Sequence, residues 1–174
     1  WYSGESFPQE RKFCTMRRKD REVTDAAALR AIVQACDCCR LGLVDEDGVA
    51  CIVPLNFGYT EEDGQPVLYF HSAREGHKLT LLRKNPVVGF EMDTGHGLLP
   101  GDRAEDYSFA YRSVMGRGTV DFLQEPAAKR AGLNCIMAHY TGRSDWTVSD
   151  AMLGATAVFR LRVTAWTAKE HKAP

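Results

Sequence analysis

The chain has 174 residues, of which 44 % are hydrophobic and 26 % are charged, and its 22 basic and 23 acidic residues give a formal net charge of -1. This length corresponds to one domain, large enough to bury a core without disulfide or metal staples. The balanced charge provides no overall field for nucleic acid or anionic lipid, and no apolar run approaches the roughly 18 residues that span a bilayer. We therefore expect neither a nucleic-acid partner nor a membrane partner.

Six cysteines occur in the chain, at positions 14, 36, 38, 39, 51 and 135. A chain with this length and apolar content does not need a disulfide framework, and residues 1–15 lack the apolar stretch of a secretory signal. We therefore expect reduced thiols and a cytoplasmic protein. Met16 opens a charged run and is a candidate for the natural start, which would make residues 1–15 a leader or an added extension.

The first half of the chain predicts an arm, a helix and three strands. Residues 1–22 lack hydrophobic periodicity and are expected to form the arm, and residues 25–35 carry an apolar stripe at helical spacing, with Thr24 or Asp25 as N-cap. Strands are predicted over residues 40–45, 49–59 and 67–71. Because Pro54 cannot donate to a β ladder, we expect a bulge or an unpaired stretch at that position of the second strand.

In the second half of the chain, predicted helices alternate with predicted strands, and hairpins join most of the strands. Helices are predicted over residues 74–85, 125–140 and 151–154, and strands over 87–93, 107–123 and 157–166. A loop is expected over residues 94–106, which contain three glycines and a proline. The pattern favours an α+β fold with an antiparallel sheet of about six strands closed into a barrel. The domain is placed at residues 23–169, followed by a tail at 170–174.

The strongest chemical signal lies where a strand ends at His71 and a helix begins a few residues later. The first N–H groups of a helix lack intrahelical partners and attract anions such as phosphate. Ser72 adds a hydroxyl, Gly76 allows close approach to the backbone, and the ammonium of Lys78 leans back toward the same anion. Arg74 is a candidate for a second positive contact. An ordinary capped helix with solvated basic side chains explains the same residues, and both interpretations stay open.

A second candidate is the segment Val53-Pro-Leu-Asn-Phe-Gly-Tyr59. A proline in a strand frees backbone groups, and Asn56 adds donors and an acceptor beside apolar neighbours. Together these suit a flat heteroaromatic ring. The alternative is a bulge at a barrel corner that Asn56 caps, and the segment taken alone favours that alternative.

Other motifs give weaker indications. Cys36-x-x-Cys39 has dithiol spacing but ends a helix, so it lacks the electropositive helix start that lowers a thiol pKa. With Cys38 beside it a metal site is conceivable, although no second cluster supplies a fourth ligand. Gly116-x-Gly118 has no helix after it, the histidines show no metal-ligand spacing, and no Gly-x-Ser-x-Gly occurs. We predict no metal site.

Eight blocks, taken together and in order, resemble the pyridoxamine 5′-phosphate oxidase-related flavoproteins, in particular their nitroimidazole-resistance (Nim-type) branch. The blocks are Met16-Arg-Arg-Lys-Asp-Arg-Glu22, Cys39-Arg-Leu-Gly-Leu43, Val53-Pro-Leu-Asn-Phe-Gly-Tyr59, Tyr69-Phe-His-Ser-Ala73 with Gly76 and Lys78, Asn85-Pro86, Phe90-Glu-Met-Asp93, Tyr111-Arg-Ser-Val-Met-Gly116 and Ala157-Val-Phe-Arg160. The match extends from Met16 to about Lys169. Each block alone would be a weak match, and the resemblance is specific because all eight blocks occur together and in order.

The resemblance implies an α+β fold: a mainly antiparallel, six-stranded split β-barrel with peripheral helices. It also implies a homodimer with FMN, or alternatively FAD, at the subunit interface. Ser72 and Lys78 would hold the flavin phosphate, with His71 and Gly76 adjoining. The residues that would line or approach the flavin ring are Val53, Pro54, Leu55, Asn56, Ser113, Val114 and Trp166.

The chain departs from the family pattern at its end, where Thr164-Ala-Trp-Thr-Ala-Lys169 replaces the usual Thr-Gly-Lys. The C-terminal arginine motif that binds pyridoxamine phosphate is not evident, which puts vitamin B6 oxidation in doubt. The expected function is a flavin-dependent reductase that takes hydride from NAD(P)H and reduces a small planar acceptor, such as a nitroimidazole or another nitroaromatic.

This chemistry demands no protein acid or base, so no catalytic side chain is assigned. His71 is either a contact to the flavin or a bound small molecule, or simply a hydrogen-bonding strand terminus. One alternative function is a non-catalytic barrel that stores, senses or delivers flavin or haem, with His71, His77 or His96 as axial ligand. A third is a cysteine-based metal protein.

Overall fold

The computed structural model describes residues 16–172, so the predicted leader at 1–15 and the end of the predicted tail lie outside the described residues. The helices are α1 (Ala26–Ala35), α2 (His77–Lys84), α3 (Pro126–Thr141) and α4 (Asp150–Ala155), with single 3₁₀ turns at Lys19–Arg21 and Ala104–Asp106. The strands are β1 (Glu22–Val23), β2 (Cys39–Val44), β3 (Ala50–Leu55), β4 (Phe57–Glu62), β5 (Gln65–Ala73), β6 (Val87–Leu99), β7 (Ser108–Leu123) and β8 (Thr156–His171). None of the helices within the described range is both long and apolar enough to cross a membrane.

All strands belong to one antiparallel sheet in the order β3-β2-β6-β7-β8-β5-β4, and β1 pairs with β8. β3 and β4 stand at opposite ends of this order, yet only Asn56 separates them in the chain. They form one interrupted strand that pairs first with β2 and then with β5. No ladder between residues 16 and 172 joins β3 to β5, so the barrel is open beside Asn56. We call this opening, between the ends of β3 and β5, the seam.

The predicted α+β split barrel is confirmed, whereas the predicted closure of the sheet is wrong, because no ladder among the described residues joins β3 to β5. The structure has eight strands instead of six for two reasons: the predicted strand 49–59 is divided at Asn56, and the two-residue β1 is added. When β3 and β4 are counted as one strand and β1 is left aside, the barrel has the six strands expected.

The predicted irregularity at Pro54 is wrong. Pro54 lies opposite Arg40 of β2, in a ladder that runs from Cys39 to Val44 without a register shift. β3 is an edge strand in the sheet order, where a proline nitrogen can face the unpaired side without the loss of a ladder bond. The interruption comes two residues later, at Asn56.

The loop predicted over residues 94–106 is shorter than expected. β6 continues to Leu99 and pairs with β7, after a register shift between Thr94 and Gly97. Gly95, with a φ of 67°, accommodates this irregularity because glycine tolerates positive φ. β8 likewise runs beyond its predicted end and pairs with β7 as far as His171.

Alternate residues of the strands fill the barrel interior. Its largest fully buried side chains include Phe57, Phe70 and Phe159, and the last two rings stack with centroids 5.4 Å apart. Two helices, α1 and α2, bury apolar stripes in this core. α1 contributes Leu29, Ile32 and Val33, and α2 contributes Leu79, Leu81 and Leu82.

The last turn of α3 is tied to the corner between α1 and β2. His139 Nε2 lies 2.7 Å from the carbonyl oxygen of Cys36, and the hydroxyl of Tyr140 donates to the carbonyl of Asp37 at 2.8 Å. The same hydroxyl accepts the N–H of Phe57 at 3.1 Å, and the His139 ring lies 4.3 Å from the Phe57 ring. This pair of side chains, the α3 anchor, fixes the start of β4 beside the seam.

Candidate cofactor site

The N-terminus of α2 is open to a ligand. Its N-cap is Gly76, with a φ of 140°, and no side chain caps the helix. The Gly76 carbonyl accepts the N–H groups of Leu79 and Thr80 at 3.0 and 3.3 Å, but those of His77 and Lys78 have no acceptor within residues 16–172. A Cβ at Gly76 would meet nothing within 4 Å. The free donors and the helix dipole therefore face open space, as a phosphate would require.

Two cations beside this helix start have no counter-ion. Arg74 and Lys78 form no ion pair with any described residue, whereas Arg40 and Arg160 in the barrel pair with carboxylates. Partial desolvation of the imidazole, assisted by the charge of Lys78, lowers the pKa of His71. His71 is therefore neutral at pH 7, and positive charge at this end of β5 comes from lysine and arginine.

The two segments singled out in the sequence meet at the seam. The β4–β5 ladder ends with Phe57 opposite Phe70, so the same register continued by one residue places Asn56 beside His71. At the seam β3 has only β2 as neighbour, and the end of β5 has only β8. Main-chain donors and acceptors of both strands are thus available there, and such groups orient planar ligands. Val53 and Leu55 pack against the core, whereas Pro54 and Asn56 are exposed.

Ser72 lies between His71 and the start of α2 in the chain, but its side chain is turned inward. It is 9 % exposed, and its hydroxyl donates to the carbonyl of Ala73 at 2.7 Å. Contact with a phosphate would require the hydroxyl to leave that carbonyl.

The three remaining predicted residues are not at the seam of their own chain. Ser113 and Val114 lie on β7, which β2 and β6 separate from β3. Val114 is fully buried, so its side chain offers no exposed surface to a ligand. Trp166 lies on β8 opposite Gly116, and its ring centroid is 6.2 Å from that of Tyr59.

A charged cluster that the sequence did not indicate lies beside β3. Arg40, opposite Pro54, donates to Glu91 at 3.0 Å and to Asp93 at 2.7 Å, and Asp93 lies 3.0 Å from His96 Nε2. The hydrogen bond to Asp93 raises the pKa of Arg40, and burial raises the pKa of Glu91. The cluster depends on the pairing of β2 with β6, whose partners are about 50 residues apart.

The cysteine cluster has the environment of a packing site. All five cysteines among the described residues are free, and no group of three His, Cys, Asp or Glu side chains there could hold a metal ion. Burial raises the pKa of Cys36 to about 12 and raises that of Cys39 as well. Both thiols therefore stay protonated and weakly reactive at neutral pH.

The sequence model of the pyridoxamine 5′-phosphate oxidase family matches residues 25–170. No curated protein matches the chain. Among solved structures, a protein provisionally assigned to 5-nitroimidazole antibiotic resistance, from Bacteroides thetaiotaomicron, is 32 % identical; the match covers 86 % of each chain, with a TM-score of 0.75.

Two further solved structures share the fold at 21 % identity. The flavocytochrome Anf3 from Azotobacter vinelandii matches over 92 % of this chain and 73 % of its own, with a TM-score of 0.75. The FAD and heme binding protein from Mycobacterium smegmatis matches over 88 % and 74 %, with a TM-score of 0.76. The family match over most of the chain, together with the split barrel, confirms the resemblance: the chain belongs to the pyridoxamine 5′-phosphate oxidase family.

Proposed function

We propose that the chain is a flavin-binding oxidoreductase that uses NAD(P)H to reduce small planar acceptors such as nitroimidazoles and other nitroaromatics. One observation carries the proposal: the uncapped start of α2, with Lys78 in its first turn, lies at the same seam as the main-chain edges of β3 and β5, and neither Lys78 nor these edges have a partner within residues 16–172. A flavin has a phosphate for the first feature and a planar heteroaromatic ring for the second. Family membership and the 32 % identical Bacteroides protein give independent support.

At the phosphate end, the N–H groups of His77 and Lys78 and the Lys78 ammonium would bind the anion. Each such charge-assisted contact contributes about 1.5–3 kcal/mol. His71, neutral and adjacent, can donate one further hydrogen bond. FMN is the smallest flavin with these features, and when bound it supplies the hydride and electron transfer.

At the ring end, the main chain of Val53 to Asn56 and the Asn56 amide would orient the heteroatoms of the ring. Val53 and Leu55 pack against the core, so the side of this edge that faces the core is apolar. The chain's own part is therefore to bind, orient and partly shield the cofactor, without a catalytic acid or base.

The proposal includes a homodimer. Val44, Ile52 and Val87 are each more than half exposed on the outer face of β2, β3 and β6. They surround Gly42 and Gly89, which pair across the sheet and leave this face flat. A flat apolar patch of this kind suits a second copy. Ser113, Val114 and Trp166 would reach a flavin only from that copy.

The first test is the absorbance spectrum of the purified protein before and after incubation with FMN. Flavin bands that survive gel filtration support binding, and a protein that stays colourless refutes the proposal. Consumption of NADH or NADPH that depends on an added nitroimidazole separates a reductase from a binding protein. The oligomeric state, measured in the same preparation by light scattering, tests the homodimer.

A non-catalytic flavin- or haem-binding protein is the second candidate. His71 favours it, because an exposed histidine with a lowered pKa presents the neutral imidazole that haem iron binds. A Soret band on addition of haemin, lost in His71→Ala, would support this function. We also propose a reducing, cytoplasmic location, which the free cysteines of the described part support.

A further inference from the structure

A cavity of about 480 Å³ lies between α2, the first turn of α3 and the adjoining ends of β7 and β8. We call it the basic cavity, because Arg74, Arg83 and Lys129 line it with Glu75 as the one acidic residue. Its volume falls within the range of small-molecule sites, roughly 300–1,000 Å³. No residue assigned above to FMN lines it, and only Arg74 was a candidate phosphate contact.

The basic cavity adjoins the phosphate end of the proposed flavin site. Arg74 and Glu75 immediately precede Gly76, the N-cap of α2. Thr156, also in the lining, lies opposite Ala73 on β5, two residues beyond His71. A ligand that places its first phosphate at the start of α2 can therefore extend the atoms beyond that phosphate into the basic cavity.

The cations of the basic cavity have no counter-ion among residues 16–172, and two of them are held in place. Arg74 forms no ion pair with the described residues, and the Arg83 guanidinium lies 5.1 Å from the centroid of Phe122. Lys129 Nζ donates to two carbonyls, those of Leu153 and Thr156, at 2.9 Å each, which fixes its position but leaves its charge. Because the lining has three cations and one carboxylate, its net charge is positive and favours an anionic ligand.

The other walls are apolar or aromatic, contributed by Phe122, Leu123 and Val158. Inorganic phosphate would satisfy the cations but leave these walls uncovered. An adenylate combines a phosphate with a planar, weakly polar base, and an arginine held over an aromatic ring, as Arg83 is, is well suited to stack with such a base.

We propose that the basic cavity binds the adenylate half of FAD, so that the chain retains FAD in preference to FMN. This inference rests on the proposed flavin site, because the adenylate extends from the phosphate at the start of α2. FMN would leave Arg83 with only the Phe122 ring beside it, whereas FAD would bring a second phosphate and the base toward Arg74 and Arg83.

The test is a pair of fluorescence titrations of the flavin-free protein, one with FAD and one with FMN. We expect the dissociation constant for FAD to be lower by about 10-fold or more. AMP should weaken the binding of FAD and leave the binding of FMN unchanged.

Two variants remove cations from the basic cavity, Arg83→Gln and Arg74→Gln. Arg83→Gln should bring the affinity for FAD close to that for FMN without altering the latter, and Arg74→Gln should weaken the binding of FAD more than that of FMN. Arg74 forms no hydrogen bond, ion pair or ring contact with the described residues, so its variant reports on binding even if Arg83→Gln perturbs the packing on Phe122. Lys84→Gln, one residue along α2 and outside the cavity lining, is the matched control for charge.

Equal affinities for FAD and FMN, together with no effect of AMP, would overturn this inference and leave the proposed function intact. Displacement of AMP by NADPH but not by FAD would also overturn it, because the cavity would then serve the nicotinamide cofactor. Failure of both flavins to bind would instead refute the proposed function itself.

Discussion

Gly58 allows α3 to pack directly against the backbone of β4. A Cβ at this position would lie 2.5 Å from the carbonyl carbon of Cys135 and from the amide nitrogen of Ile136. Ordinary contacts lie at 3.4–4 Å, so Gly58→Ala requires a relative shift of about 1 Å between helix and strand. The α3 anchor opposes that shift because it fixes the end of the helix to the start of β4.

We therefore expect Gly58→Ala to lower the free energy of unfolding by about 2–3 kcal/mol, the upper part of the range for overpacked sites. For a chain of this size that corresponds to a fall in Tm of about 4–12 °C. Thermal and urea unfolding followed by circular dichroism measure both quantities.

Gly154→Ala is the matched control for this substitution. Gly154 lies in α4 with nothing within 4 Å of a Cβ, so alanine should stabilise the helix by up to about 1 kcal/mol. If the free energy of unfolding of Gly58→Ala equals that of the wild type to within about 0.5 kcal/mol, the contact between β4 and α3 yields freely and the α3 anchor does not oppose the shift.

Three further predictions concern the site and the thiols. Lys78→Ala should weaken flavin binding by roughly 10- to 150-fold in fluorescence titration, the equivalent of about 1.5–3 kcal/mol, whereas Lys84→Ala should leave it unchanged. The fold lowers the pKa of His71 below 6.5, so the unfolded chain binds a proton at this imidazole more readily than the folded chain does. Below about pH 6.5 the wild type should therefore lose stability toward urea more steeply than His71→Asn. Equal slopes would argue against the desolvated imidazole. Cys36 and Cys39 should escape iodoacetamide at pH 8 in the native protein and react only after unfolding, as mass spectrometry of the labelled peptides can show.

The helices were predictable because their signals are local. The side chain of Asp25 accepts the N–H of Ala28 as the N-cap of α1, as expected, and Pro126 opens α3. The start of α2 at the end of β5, with Lys78 in its first turn, could also be predicted, because strand end, glycine and helix follow one another within a few residues.

The details of the sheet were not predictable in the same way, because pairing joins distant segments. The continuation of β6 past Gly95 depends on β7, and residues 94–106 by themselves have the composition of a loop. Likewise, the sequence places Asn56 and His71 in separate candidate segments. Only the register of β4 against β5 brings them side by side at the seam.

The α3 anchor also sets an order of events during synthesis. His139 and the carbonyl of Cys36 are 103 residues apart in the chain. At about 5–20 residues per second, a ribosome takes roughly 5–20 s to make the intervening segment. Until then, the carbonyls of Cys36 and Asp37 and the N–H of Phe57 lack the hydrogen-bond partners that the last turn of α3 supplies. The edge of the seam is thus among the first parts of the barrel to be synthesised and among the last to be fixed.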